Sequence, residues 1–173
     1  SFESLLAAGT LGRAQLDALA TRLARFHADA RADAQVARQG ELAVIEGNVR
    51  ENFEQTRQSA ALYLQPEERT RIERYQLAFL GEHAALFAAR LAAGRVREGH
   101  GDLRLEHCYL EPDGQITVID CIEFNERFRY GDVCADLAFL VMDLGYHERG
   151  DLAELLLATY AQQSGDYALY DVV

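Results

Sequence analysis

Residues Gly99-His100-Gly101-Asp102-Leu103-Arg104-Leu105-Glu106-His107 place an aspartate, an arginine and two histidines in one short stretch, and Asp120 follows thirteen residues after His107, behind the apolar run Ile116-Thr117-Val118-Ile119. The layout is that of a phosphoryl-transfer loop, H-x-D-x-x-x-x-N and then a strand ending in Asp. It sets one carboxylate beside an attacking hydroxyl and a second on a nucleotide's Mg²⁺. Phosphoryl transfer asks little covalent chemistry of a protein; it needs a carboxylate to orient the hydroxyl and ligands for the cations that neutralise phosphate charge. Asp102 is the candidate for the first task and Asp120 for the second. His107, five residues after Asp102, stands at the loop's exit, where it can share the metal ion of Asp120. Any one of these residues alone reads more simply as part of a turn or a helix cap. Order and spacing together point to the chemistry.

The elements that must hold this loop are legible as periodicities. Leu11, Leu16, Leu19, Leu23 and Phe26 recur at helical steps, which predicts a helix from an N-cap at Thr10 to about Ala30. Leu42, Ile45, Val49 and Phe53 predict a second over 41–57, weakened by Gly47 and Asn48. Pro66 followed by Glu67 and Glu68 is a helix start, and the pattern runs to Ala93 with Gly94 as its stop. Val96 to His100 reads as a short strand feeding the loop. Tyr109-Leu110 and Ile116 to Ile119 flank Pro112-Asp113-Gly114, the signature of a hairpin. Its antiparallel return is expected to carry Asp120 to the same end as Asp102. After an irregular stretch from Glu123 to Tyr130, helices are predicted over 133–144 and 151–162.

Composition narrows the function classes. A formal charge of -11, with seventeen basic residues against twenty-eight acidic ones, argues against a nucleic-acid partner. No run of eighteen apolar residues and no signal-peptide pattern occurs, so no membrane partner is expected and the expected location is cytoplasmic. Cys108, Cys121 and Cys134 are an odd number and read as buried thiols rather than a disulfide framework. The chain opens on Ser1 and stops at Tyr170-Asp171-Val172-Val173 in the middle of an apolar pattern, which reads as a piece of a longer protein cut at both ends. With no repeat, linker or low-complexity tract, 1–173 is expected to form a single unit.

His100-Gly101-Asp102-Leu103-Arg104-Leu105-Glu106-His107 and Ile119-Asp120-Cys121 resemble the H-G-D-[LIV]-H-x-x-N and I-D-[FW] motifs of the aminoglycoside phosphotransferase family. Gly131-Asp132-Val133-Cys134-Ala135-Asp136-Leu137-Ala138 is similar to that family's G-D-P-x-x-D-L-A segment, and Leu23 to His27 to its L-A-x-L-H helix end. The resemblance implies an α+β, mostly helical fold, the C-terminal lobe of a kinase-like enzyme, with the small hairpin carrying the catalytic loop and the metal aspartate. It implies ATP and Mg²⁺ as cofactors and a small-molecule hydroxyl as acceptor. Asp102 would be the base or hydroxyl-orienting group, Asp120 the Mg²⁺ ligand, and His100 and Asp136 structural supports of the loop. The segment from Asp120 to Asp132 looks more narrowly like a bacterial subgroup joined to a C-terminal P-loop ATPase domain.

This sequence departs from the family in three places. His107 stands where the family has Asn, and imidazole is a poorer match than oxygen to Mg²⁺. Arg104 replaces the usual second His; it is a candidate for contact with the transferring phosphate, or equally a surface partner of Glu106 or Asp102. All seventeen basic residues are arginine, so no phosphate-gripping lysine is present, and nothing in 1–95 resembles a Gly-rich loop. The nucleotide-binding lobe is therefore expected outside this chain, which alone carries half of an active site. Two rivals stand beside this reading. One is a zinc module built from His100, His107 and the three cysteines, although no paired C-x₂-C or H-x₃-H element occurs. The other is a catalytically weak relative that binds a nucleotide or a partner. Among minor candidates, His27 reads as a satisfied core histidine, Phe124, Phe128 and Tyr130 as packing residues, Glu123 as a substrate-positioning or cap residue, and Asp132 as a helix cap.

Overall fold

A computed structural model describes residues 1–173, and its contacts divide the chain into two compact units, Ser1–Arg31 with Arg97–Val173, and Ala32–Val96. The sequence shows no linker at either boundary.

The first unit begins with α1 (Phe2–Ala7), whose N-cap Ser1 accepts the Ser4 amide, and α2 (Arg13–Asp29). Helix α2 buries Leu16, Leu19, Ala20, Leu23, Ala24 and His27 along one stripe, the steps of three and four that a helix turns to one side. Each of those leucines contributes about 2 kcal/mol by leaving water. The expected cap at Thr10 shifts to Gly12, whose amide donates to Gln15 Oε1 at 3.1 Å, while the Thr10 hydroxyl donates back to the Leu5 carbonyl at 3.2 Å. That backward bond needs α1, which is too short for periodicity to reveal.

The second unit holds α3 (Ala34–Ala37), α4 (Leu42–Gln55), α5 (Arg57–Ala60), α6 (Pro66–Glu82) and α7 (Ala84–Ala92). The helix expected from Pro66 to Ala93 is two. It breaks at His83, which leaves helical angles at φ -107 and ψ 18; its Nδ1 donates at 2.9 Å to the Phe79 carbonyl that already accepts its amide, and its ring stacks on Phe79 with centroids 4.1 Å apart. Gly94 does stop the second piece. At φ +67 it lets its own amide reach Leu91 O and the Arg95 amide reach Arg90 O, the pairing of a Schellman cap. The apolar face of α4 is only half-buried, so this unit has a thin core, with Val36 and Leu80 among its few enclosed side chains.

The chain then returns to the first unit through β1 (Val96–Glu98), the hairpin strands β2 (Cys108–Leu110) and β3 (Ile116–Val118), and β4 (Tyr130–Asp132). β2 and β3 pair antiparallel with Cys108 opposite Val118 and Leu110 opposite Ile116, and Gly114 at φ +83 turns the loop between them. β4, which lies in the stretch read as irregular, pairs with β1. Helices α8 (Cys134–Tyr146) and α9 (Gly150–Ser164) close the unit, and α9 packs against α2 more extensively than any other two elements meet. Leu137, Leu140, Leu144, Leu156 and Tyr160 from these two helices join the α2 stripe and Leu103, Leu105 and Cys108 in one core. The loop that carries Asp102 is thus anchored in the core by the residues that follow it. The mostly helical fold with small antiparallel strands is that of an α+β protein. No helix is long and apolar enough to cross a membrane.

Candidate active site

The loop from Gly99 to Asp102 is shaped by one buried carboxylate. Asp136, near the start of α8, is 3% exposed and accepts the amides of His100 at 2.8 Å and Gly101 at 2.9 Å, together with His27 Nε2 at 3.1 Å. The other nitrogen of His27 meets the Tyr160 hydroxyl at 2.9 Å, so helices α2, α8 and α9 all reach the loop through one chain of hydrogen bonds. Burial pushes the Asp136 pKa up, but the hydrogen bonds from His27 and the two amides outweigh it and hold the carboxyl below its ordinary 3.8. The glycines are steric requirements of this arrangement. A Cβ on Gly99 would stand 2.7 Å from Asp136 Oδ2, and one on Gly101, at φ +86, would stand 2.6 Å from the Phe128 carbonyl.

His100 is fixed in one tautomer. Its Nδ1 accepts the Asp102 amide at 3.3 Å, which leaves Nε2 to donate to the Ile119 carbonyl at 2.8 Å. That second bond ties the loop to the residue before Asp120. The strand itself ends earlier than expected, at Val118; the Ile119 amide still donates to His107 O at 3.1 Å, and Asp120 then takes a left-handed conformation at φ +64. Asp tolerates that region better than most residues, and such strain collects at functional sites.

Asp102, His107 and Asp120 are brought together as follows. Asp102 is half-buried and its carbonyl accepts His107 Nδ1 at 2.8 Å. The other ring nitrogen, Nε2, lies 3.5 Å from Asp120 Oδ2. The imidazole, 12% exposed, therefore bridges the backbone of the loop and a carboxylate that is 77% exposed. No three His, Cys, Asp or Glu side chains gather as a metal cluster, so the zinc reading has no ligand set.

Arg104 points to neighbours of its own. Its Nη1 pairs with Glu106 Oε1 at 2.6 Å, and its Nε stands 3.8 Å from Asp143 Oδ1. Asp143, on α8, also accepts the Leu105 amide at 3.0 Å, a loop anchor that sequence reasoning missed because its partner lies 38 residues back. Beside it, burial and then the Asp143 charge push the Cys108 thiol up to about 12.

The stretch after Asp120 corrects two expectations. Cys121 is exposed, not buried, since the left-handed turn at Asp120 carries it out of the strand. Phe124 and Phe128 are exposed, 83% and 44%, and meet edge to face at 6.2 Å rather than filling the core; Tyr130 is buried as expected. Arg129 holds the segment, donating to Ile122 O and Glu98 Oε1, both at 2.7 Å, while its own carbonyl accepts the Gly99 amide at 2.7 Å. Asp132 Oδ1 accepts the Cys134 amide at 2.9 Å at the start of α8. A cavity of about 510 Å³ adjoins the loop, lined by Gly99, His100, Leu103, Val118 and Cys121 among others.

The phosphotransferase enzyme family matches residues 3–172, nearly the whole of this sequence. The chain belongs to that family. Relatives with 37% identity over 165 residues occur as uncharacterised proteins in Mycobacterium bovis and Mycobacterium tuberculosis, where the match covers 95% of this chain and 33% of theirs. The chain thus spans about a third of the length of the curated relatives it matches. The loop from Gly99 to His107 sits on a scaffold in which His100, Asp136 and Asp143 each hydrogen-bond to backbone.

Proposed function

We propose that the protein containing this chain transfers the γ-phosphate of ATP to a hydroxyl of a small molecule, with Asp102 orienting the hydroxyl and accepting its proton. The observation that supports this best is the position of His107, whose Nδ1 donates to the Asp102 backbone carbonyl while its Nε2 stands 3.5 Å from the Asp120 carboxylate, so that one ring lies against both acidic residues. Asp120 and His107 are the residues that would hold a divalent cation there. Such an ion supplies positive charge against the phosphates. Asp102 acts from a backbone fixed by the bonds of Asp136 to the two preceding amides and of His107 to its own carbonyl, which sets where its side chain begins. Arg104 exchanges Glu106 for the transferring phosphate. The pair is exposed at 44% and 40%, and such pairs contribute less than about 1 kcal/mol, so a phosphate competes well.

On this reading the nucleotide-binding lobe, with its Gly-rich loop and lysine, and a following P-loop ATPase domain belong to the longer protein, which works in the cytoplasm. The rival, a weak catalyst that binds a nucleotide or partner, draws on the same two features: an Arg104 already paired with Glu106, and a nitrogen in place of an amide oxygen at His107. Phosphate transfer by the longer protein separates the two. Measurable transfer that Asp102→Asn abolishes supports the catalytic reading; nucleotide binding without transfer in the unmodified protein supports the rival.

A further inference from the structure

The cavity of about 510 Å³ beside the loop lies wholly within the first unit, and neither Asp102 nor Asp120 lines it. It is a space that phosphoryl transfer leaves unused. Small-molecule sites enclose roughly 300–1,000 Å³ and are mostly apolar, with a few placed polar groups. One wall here is an edge of α2: Arg22, Phe26 and Ala30 follow at steps of four, which a helix turns to one side, with Leu23 beside them. Leu103 and Val118 continue the apolar surface. Beyond the left-handed turn at Asp120, the exposed residues Cys121 and Glu123 complete the lining.

The charged side chains of this cavity divide into held and free. Arg129 Nη2 donates to Glu98 Oε1 at 2.7 Å, so those two charges offset one another, and Arg31 Nη1 donates to the Tyr130 hydroxyl at 2.8 Å. Arg22 and Glu123 are both exposed, have no hydrogen-bond or ion-pair partner, and do not pair with each other. A lone surface charge is ordinarily just solvated. These two differ in flanking one apolar cavity with one charge of each sign. A ligand body seated between them displaces water, and a charge contact strengthens as the water around it is removed.

We infer that this cavity binds a small zwitterion, its acidic group at Arg22, its amino group at Glu123 and an apolar body over Leu23, Phe26 and Val118. The chain's net charge of -11 repels a simple anion, and a simple cation leaves Arg22 unmatched; a ligand of zero net charge and two ends meets both free groups. Gly99 and His100 also line the cavity, so the ligand rests against the backbone that Asp136 holds.

The test needs no ATP and is therefore independent of the phosphotransferase reading. Cys121 is exposed and lines the same cavity, so the rate at which a thiol reagent modifies it, read on the Cys121 peptide by mass spectrometry, reports occupancy in the full-length protein. The probes are a graded series of ω-amino acids, from γ-aminobutyrate to ω-aminooctanoate, each beside the alkanoate and the alkylamine of the same length. The expected result is saturable protection by the best-fitting ω-amino acid, slowing modification at least fivefold, at concentrations at least tenfold lower than its alkanoate or alkylamine requires. Arg22→Gln is expected to reduce that probe to the level of the alkylamine, and Glu123→Gln to the level of the alkanoate, at unchanged melting temperature because both positions are exposed. Absence of saturable protection across the series, equal protection by the singly charged probes, or protection that neither substitution weakens overturns the inference. So does a Cys121 that fails to react in the full-length protein without any probe, since another part of that protein then covers the cavity.

Discussion

Asp136 lies 36 residues after His100 in sequence, yet its carboxylate accepts that residue's amide at 2.8 Å. The loop that carries Asp102 is therefore not a free surface turn. Its shape is dictated by a buried charge on α8, and that charge is in turn held by His27 from α2.

Removing the charge leaves several donors buried without an acceptor, so Asp136→Ala is expected to destabilise the fold by about 3 kcal/mol, read as a lower urea midpoint. Folding lowers this carboxyl's pKa, so its contribution to stability is complete above the ordinary aspartate value of 3.8 and is lost as pH falls through the native value. The gap between Asp136→Ala and the unmodified chain is expected to be constant from neutral pH to about 5 and to narrow in stronger acid.

Gly101 has a conformation and a clearance that a side chain cannot share. Gly101→Ala places a Cβ against the Phe128 carbonyl and strains φ +86, so it is expected to cost about 1–3 kcal/mol and at least tenfold in turnover. Gly47→Ala, where a Cβ meets open space, serves as the control and is expected to leave stability unchanged or slightly raised.

Arg104→Gln separates the two roles open to that side chain. Its partner Glu106 is exposed, so stability is expected to change by less than about 0.5 kcal/mol, while kcat falls through the lost phosphate contact. A melting temperature that drops with no change in kcat marks Arg104 as a surface pair and nothing more.

The three thiols are expected to react unequally. Cys121 is exposed, whereas Cys134 is buried and Cys108 is pushed up to about 12 by burial and the Asp143 charge. A thiol-specific chromophore at pH 8 should titrate one equivalent quickly, and Cys121→Ser should remove that phase.

The parts of this architecture that were legible in sequence are those set by local patterning. The stripe from Leu16 to His27 announces α2, and Pro112-Asp113-Gly114 announces the hairpin, because spacing and turn chemistry act over a few residues. What stayed hidden depends on distant partners. β4 has three residues and exists by pairing with β1, the break at His83 is one residue's departure from helical angles, and Asp143 acquires meaning only when Leu105 is seen above it. At the site, the motif named Asp102, His107 and Asp120, but the contact of His107 with the Asp102 carbonyl and the left-handed turn at Asp120 are properties of the folded backbone. His27 read correctly as a satisfied core residue; that its partner is the same carboxylate that shapes the loop is a fact of the tertiary structure.

The most direct measurement of the central claim is γ-phosphate turnover by the kinase-like domain with both its lobes, free of any neighbouring ATPase domain, compared with its Asp102→Asn variant. Loss of a positioned general base is predicted to lower the rate by at least about 100-fold at an unchanged melting temperature. Equal rates in the two proteins would contradict the assignment of Asp102 and with it the catalytic reading of the loop.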